Sequence, residues 1–296
     1  MRTLPVVPEP AANREPPPFE RIAIVGFGLV GGSLALAIRQ RWQGGLLVAI
    51  DRKDVLEAAM RSHAADVAAD DLGMVAEADL IVLAAPIQQN LRILEQLPGY
   101  VPGAALVTDV GSTKAAIVEA AHRLPERLTF VGGHPLAGAA AGGVSAARAD
   151  LFANRPWILT TPAGESALSK LESFVAELGA RPLRMDAGAH DSLLGYLSHL
   201  PQLTVSALMH VVGEQAQAEG LALAGRGLRD TTRLAASPPG IWRDVAATNA
   251  PAIARALDDV IAVLQALRND LADGNHLETV FESASRWKAV LEHSDR

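Results

Sequence analysis

Two hydrophobic patterns alternate along residues 21–186. Short unbroken apolar runs occur at Ile22-Ala23-Ile24-Val25, at Leu46-Leu47-Val48-Ala49-Ile50, and over 79–86, 104–110 and 129–133. Runs this short, apolar at almost every position, suit strands buried on both faces. Between them, 33–38, 54–62, 87–96 and 113–123 suit helices, with Asp54 as a cap of the second and Ser112 or Thr113 as the cap of the fourth. This alternation predicts an α/β fold with a doubly wound, mostly parallel sheet. Two more strands are expected at 157–161 and 181–185, enclosing a helix over 164–178, while the small-residue stretch 139–150 reads as loop or short helix. Beyond Asp186 the strands give out, and 190–212, 252–271 and 277–292 carry apolar residues at three- and four-residue spacing. The expected organisation is a flexible Pro-rich tail over 1–18, an α/β domain over 19–185 and an all-helical domain over 186–296.

The first strand runs into Gly26-Phe27-Gly28-Leu29-Val30-Gly31, and a helical stretch follows. Strand, glycine turn and helix form the setting in which G-x-G-x-x-G marks a dinucleotide site. Each glycine has its own reason. Gly26 permits the tight turn, Gly28 lets backbone approach a pyrophosphate, and Gly31 lets the helix pack close to the strand. The amino end of the helix then offers N–H groups to the anion. The second strand ends in Asp51, about 20 residues beyond Gly31, where a carboxylate meets the ribose hydroxyls. Asp51 repels a 2′-phosphate, so NAD is preferred; Arg52 next to it leaves NADP possible. Ala84, Ala85 and Pro86 follow another strand at the carboxyl edge of the sheet and are candidate cofactor contacts. A capping aspartate after an ordinary buried strand would explain Asp51 but not the whole pattern.

Composition narrows the function. A chain of 296 residues, 49% apolar, can bury a large core in one large or two ordinary domains. Without cysteine it has neither a disulfide framework nor a thiolate nucleophile, which fits the cytoplasm. A formal net charge of −7 argues against a general nucleic-acid surface, so an anionic substrate needs a local cationic cluster. No apolar run reaches the length of a membrane span, and the proline-rich start lacks the apolar region of a secretory signal. No membrane partner and no metal site are expected.

A dinucleotide domain implies hydride chemistry, and removing a hydride from a carbinol carbon also requires the hydroxyl proton to leave. Imidazole suits that task. Of eight histidines, His134 lies at a strand's carboxyl end between Gly133 and Pro135, where a cofactor is expected. His63, His122, His276 and His293 read as surface residues and His210 as helix packing. His190 and His199 are nine residues apart and do not share a helix face; His199, before Pro201, is open to either packing or ligand contact. Arg226, Arg229 and Arg233 share a face if 224–234 is helical, with Arg243 further on. They read either as a solvated face or as a carboxylate clamp.

Taken in order, Gly26 to Ser33, Asp109-Val110-Gly111-Ser112-Thr113-Lys114 and Gly133-His134-Pro135-Leu136-Ala137-Gly138 resemble the prephenate/arogenate dehydrogenases. Ser198-His199-Leu200-Pro201, Asp230-Thr231-Thr232-Arg233 and Trp242-Arg243-Asp244 extend the resemblance across about residues 20–290. It implies a Rossmann-like domain, a helical dimerisation domain and NAD(P)-dependent oxidative decarboxylation in tyrosine biosynthesis. Prephenate would give 4-hydroxyphenylpyruvate, or arogenate would give tyrosine. His134 would assist deprotonation of the ring hydroxyl, and Ser112 would hold that hydroxyl, His134 and the nicotinamide in register. Arg233 would bind a substrate carboxylate, with His199, Arg229 and Trp242 completing the pocket. Arg229 stands where some members carry lysine, and Ala139-Ala140-Ala141 stands where many carry polar side chains, so the substrate's own side chain is left open. The chain after the helical half is too short for an appended regulatory domain of ordinary size, and a homodimer is expected. Other dehydrogenases with a helical second domain, of the 3-hydroxyacid or imine-reductase type, usually rely on a lysine or other residue in that domain; Lys170 and Lys288, the only lysines after Lys114, have no such setting. A non-catalytic nucleotide-binding module would account for the glycine turn but not for Ser112, His134 and Arg233 together.

Overall fold

The computed structural model describes residues 17–61, 63–139, 142–160 and 164–293. Contacts divide the described chain into two compact units. The first holds the residues up to Leu193 together with Pro238–Asn249; the second holds Leu194–Ser237 and the chain from Ala250 onward.

The first unit is built on an eight-stranded sheet. Its strands are β1 (Arg21–Val25), β2 (Leu46–Ile50), β3 (Val67–Ala69), β4 (Leu80–Leu83), β5 (Ala105–Asp109), β6 (Leu128–Pro135), β7 (Pro156–Thr160) and β8 (Arg181–Arg184). They lie in the order β3-β2-β1-β4-β5-β6-β7-β8. All neighbours are parallel except β6 and β7, which pair antiparallel with His134 opposite Ile158. The helices are α1 (Leu29–Arg41), α2 (Lys53–Arg61), α3 (Ile87–Tyr100), α4 (Ala115–Ala121), α5 (Glu165–Glu177) and α6 (Ala187–Leu194).

The continuous apolar runs form strands with a core on each side. Successive strand residues point to opposite faces, so Ile22, Ile24, Leu47, Ala49, Leu80 and Val82 join one buried cluster with α1, α2 and α5. Ala23, Val25, Val48, Ile50, Ile81 and Leu83 join a second cluster with α3 and α4. Both faces are therefore covered, as a parallel sheet requires.

Several boundaries differ from expectation. The short β3 was not anticipated; its apolar run is only three residues long, and those residues are half-buried. Helix α1 starts at Leu29, inside the glycine motif. Asp54 is not the cap of α2. The Arg52 carbonyl accepts from the amides of Val55 and Leu56, which places Asp54 inside the first turn, where its charge still favours the helix dipole.

In the second unit, a π-helical turn, Gly195–His199, leads into α7 (Leu200–Leu221). Helix α8 (Arg226–Thr231) and a 3-10 turn, Arg233–Ala236, follow. Helix α9 (Pro239–Thr248) belongs to the first unit, and α10 (Ala250–Asn269) and α11 (Asn275–His293) complete the second. Buried Gln202 ties α7 to the 3-10 turn: its amide nitrogen donates to the Leu234 carbonyl at 2.8 Å, and its amide oxygen accepts from the Ser237 hydroxyl at 3.0 Å.

Candidate active site

The glycine turn joins β1 to α1, and its three glycines meet different surroundings. Gly26 has φ +97°, and a Cβ there would lie 2.3 Å from the Ala85 amide nitrogen. A Cβ on Gly31 would lie 2.0 Å from the Gly26 carbonyl oxygen, so α1 packs as close to the turn as backbone allows. Around Gly28 there is open space. Gly28 is also the N-cap of α1, with no side-chain cap and no acid in the first turn. Close packing at Gly26 and Gly31, room at Gly28 and an uncapped helix start fit a pyrophosphate.

Asp51, at the end of β2, accepts from the Phe27 amide at 2.6 Å and from the Arg52 amide at 2.7 Å. It links the glycine turn to the second strand, and its remaining lone pairs are suited to ribose hydroxyls. The Phe27 ring is wholly buried, so only its backbone is available to a cofactor. Leu29 and Val30 pack partly against the core. Arg52 is exposed and pairs with Asp54 at 3.3 Å. Between β1 and β4 the strand order reverses, which is where such sheets bind ligands. There the loop Ala84-Ala85-Pro86 is held by buried Asn90, which accepts from the Ala85 amide and donates to the Leu83 carbonyl, both at 3.1 Å.

A buried ionic network lies at the ends of β5 and β6. Asp109 and Lys114 form an ion pair with both side chains fully buried. The Asp109 carboxylate also accepts from the amides of Gly111 at 2.8 Å and Gly133 at 3.1 Å. Burial holds the Lys114 ammonium below the usual lysine range, while the neighbouring carboxylates of Asp109 and Asp191 oppose that shift. Helix α4 is not capped by Ser112 or Thr113. Asp191, on α6, accepts from the backbone amides of Lys114 at 2.7 Å and Ala115 at 2.8 Å. The Thr113 hydroxyl instead meets that of Thr248 on α9 at 2.7 Å. Asn249 secures the same corner by donating to the Asp191 carbonyl at 2.8 Å.

His134 sits near the end of β6, half-buried, with Nδ1 2.8 Å from Nε2 of His190. His190 is wholly buried, and its Nδ1 lies 2.8 Å from Asp191 Oδ1. The first unit therefore gathers the glycine turn, Asp51, the Ala84–Pro86 loop, Ser112 and His134 at the carboxyl ends of its strands, and it also contains half-buried Trp242 on α9.

His199, Arg229 and Arg233 belong to the second unit. His199 is buried at the end of the π turn, a kind of helix irregularity frequent at functional sites. The three arginines do not share one helix face. Helix α8 stops at Thr231, and Arg233 opens the 3-10 turn. Two adjacent β-branched threonines disfavour continuing the helix, and the Thr232 hydroxyl bonds back to the Leu228 carbonyl at 2.7 Å. Arg226, Arg229, Arg233 and Arg243 are exposed, and none takes part in an ion pair among the described residues. His210 is exposed on α7, where Gln202 is the one buried residue, so it is not a buried packing residue among the described residues. Ala140 and Ala141 of the alanine segment lie outside the described residues, as do residues 1–16 of the tail. No site role was assigned to His190, Asp191, Asp109 or Lys114 from the sequence. The available signal was a His-Asp pair directly after the last predicted strand.

The nucleotide-binding domain pattern of prephenate dehydrogenase matches residues 34–183, and its dimerization domain pattern matches residues 186–283. Over 282 residues the chain is 34% identical to a prephenate dehydrogenase of Bacillus subtilis (strain 168), covering 92% of this chain and 76% of that protein. The crystal structure of Synechocystis arogenate dehydrogenase is similar with a TM-score of 0.77 and 31% identity, over 92% of this chain and 99% of that one. A prephenate dehydrogenase from A. aeolicus, solved in complex with hydroxyphenyl propionate and NAD+, reaches a TM-score of 0.84 at 26% identity, over 92% of this chain and 98% of that one. With its glycine turn, its histidine-bearing strand end and both domain patterns in place, the chain belongs to the prephenate dehydrogenase family and is an NAD-dependent oxidoreductase.

Proposed function

We propose that the chain oxidatively decarboxylates prephenate to 4-hydroxyphenylpyruvate, or arogenate to tyrosine. The observation that carries this is His134, set near a strand's carboxyl end in the same unit as the glycine turn and aligned through a hydrogen bond to His190. The reaction removes the hydroxyl proton and a hydride from ring carbon C4. The ring carboxylate then leaves as CO2, its bonding pair stays in the ring, and the ring becomes aromatic with the oxygen as a phenolate, which takes the proton back to give the phenol. When bound, the nicotinamide accepts the hydride. His134 takes the hydroxyl proton, and Ser112, half-buried on the adjacent loop after β5, aligns that hydroxyl.

Arg233 grips a substrate carboxylate, supported by Arg229, and His199 and Trp242 shape the pocket. The exposed, unpaired guanidinium of Arg233 supports this role. Arg233→Leu is expected to raise KM about 10- to 100-fold, the equivalent of one charge-assisted hydrogen bond, with kcat changed far less. Steady-state kinetics against substrate concentration measures this, and an unchanged KM removes Arg233 from the site.

NAD is the expected cofactor, with NADP tolerated weakly because Asp51 faces the ribose. Asp51→Ser is expected to move the NADP:NAD ratio of kcat/KM toward NADP by about tenfold, an electrostatic term on the order of 1.4 kcal/mol. A fixed ratio refutes the ribose assignment.

The chain acts as a homodimer in the cytoplasm. Exposed Leu208, Val211, Leu264, Phe281 and Trp287, all in the second unit, support the dimer. Among the described residues, no helix is long and apolar enough to cross a membrane. One assay tests the proposal: purified protein with each substrate and each cofactor, followed by absorbance of the reduced nicotinamide. No turnover of either substrate refutes it.

A further inference from the structure

We propose that His190 and Asp191 are positioning residues that select the tautomer of His134. The inference rests on the proposed role of His134 and extends it to the residues behind it. Asp191 is fastened first. Its two carboxylate oxygens accept the amides of Lys114 at 2.7 Å and Ala115 at 2.8 Å, so the group is held as an acceptor at the start of α4. An ionised carboxylate can only accept, so His190 Nδ1, 2.8 Å from Asp191 Oδ1, must carry a proton. His190 is wholly buried, and as a neutral ring it carries no second proton. Its Nε2 is then an acceptor, and the only arrangement that satisfies the 2.8 Å contact is donation from His134 Nδ1–H. His134 is left with a lone pair on Nε2, the form that can take a hydroxyl proton. When it does, the imidazolium keeps Nδ1–H on His190, and no proton passes along the chain to Asp191.

The backbone is held from the other side. Asp109 accepts from the Gly133 amide, next to His134, and pairs with Lys114, whose own amide is bound by Asp191. His134 thus closes a ring of contacts that fixes both its ring nitrogen and its main chain.

Asparagine and glutamine at position 190 separate tautomer control from packing. The Asn amide nitrogen falls near the position of Nδ1 and keeps the bond to Asp191, but offers nothing to His134. The Gln amide oxygen falls near Nε2 and can still accept from His134. His190→Asn is expected to lower kcat at least on the order of 10²-fold, with KM for substrate and Kd for NAD+ within about threefold. His190→Gln is expected to recover most of that loss. Equal losses in the two folded variants, or an active Asn variant, overturn the proposal.

A second measurement needs neither turnover nor a variant. In protein labelled with 15N-histidine, without substrate, the ring nitrogens of His134 are expected to report a protonated Nδ1 and an unprotonated Nε2 at neutral pH. The opposite pattern overturns the proposal whatever the enzyme's substrate is. Failure of the wild-type protein to turn over prephenate or arogenate would instead overturn the functional reading.

Discussion

His134→Asn is expected to lower kcat on the order of 10²–10⁴-fold, the usual contribution of a positioned general base, while Kd for NAD+ stays within about threefold. Asparagine is the informative replacement. Its amide nitrogen can stand in for Nδ1 and donate to His190, so the buried His190–Asp191 contacts survive. What disappears is the basic nitrogen proposed to take the hydroxyl proton. NAD+ binding is expected to persist because the groups proposed to hold it, Gly28, the start of α1 and Asp51, are left unchanged. Stopped-flow or steady-state rates, with calorimetric titration of NAD+, check the two parts separately. A variant that retains more than about a tenth of wild-type kcat ends the assignment of His134 as the base.

Lys114→Met is expected to destabilise the fold by about 3–5 kcal/mol, the range for removing one partner of a buried ion pair. Lys114 and Asp109 are both fully buried. Methionine has nearly the length of lysine and leaves little void, so the loss reports the charge. Asp109 would remain in the core facing the amides of Gly111 and Gly133, which only partly offset its desolvation. Burial lowers the Lys114 pKa despite both neighbouring carboxylates, so relief of the ammonium's desolvation offsets part of the loss. Urea unfolding at fixed protein concentration measures the effect. A loss below about 1 kcal/mol would mean that the orphaned carboxylate takes up a proton or finds water.

The sheet was legible because its strands are continuous apolar runs and its first turn has three different steric demands. Gly26, Gly28 and Gly31 could be assigned separate duties from sequence, and the surroundings of each agree with those duties. The place of His134 near a strand end was legible because the apolar run 129–133 stops just before it. The support behind it was not legible. His190 is 56 residues from His134, and Asp191 is 77 from Lys114, and no local periodicity reports pairing at that range. The helical reading of 190–212 gave no reason to pair His190 with a residue of the sheet. In the structure His190 lies on α6 and His199 ends the π turn that follows it. The arginine stripe failed for a local reason: Thr231 and Thr232 end α8 before Arg233 can join its face.

Helix α9 has a practical consequence for anyone wishing to dissect the molecule. The polypeptide passes between its two units three times, after Leu193, after Ser237 and after Asn249. A fragment ending near residue 193 would therefore lack Thr248 and Asn249, and with them the clasp on Thr113 and Asp191. Exchanging the helical lobe with that of another dehydrogenase would require two splice points around residues 238–249, because a single junction would carry away part of the nucleotide lobe.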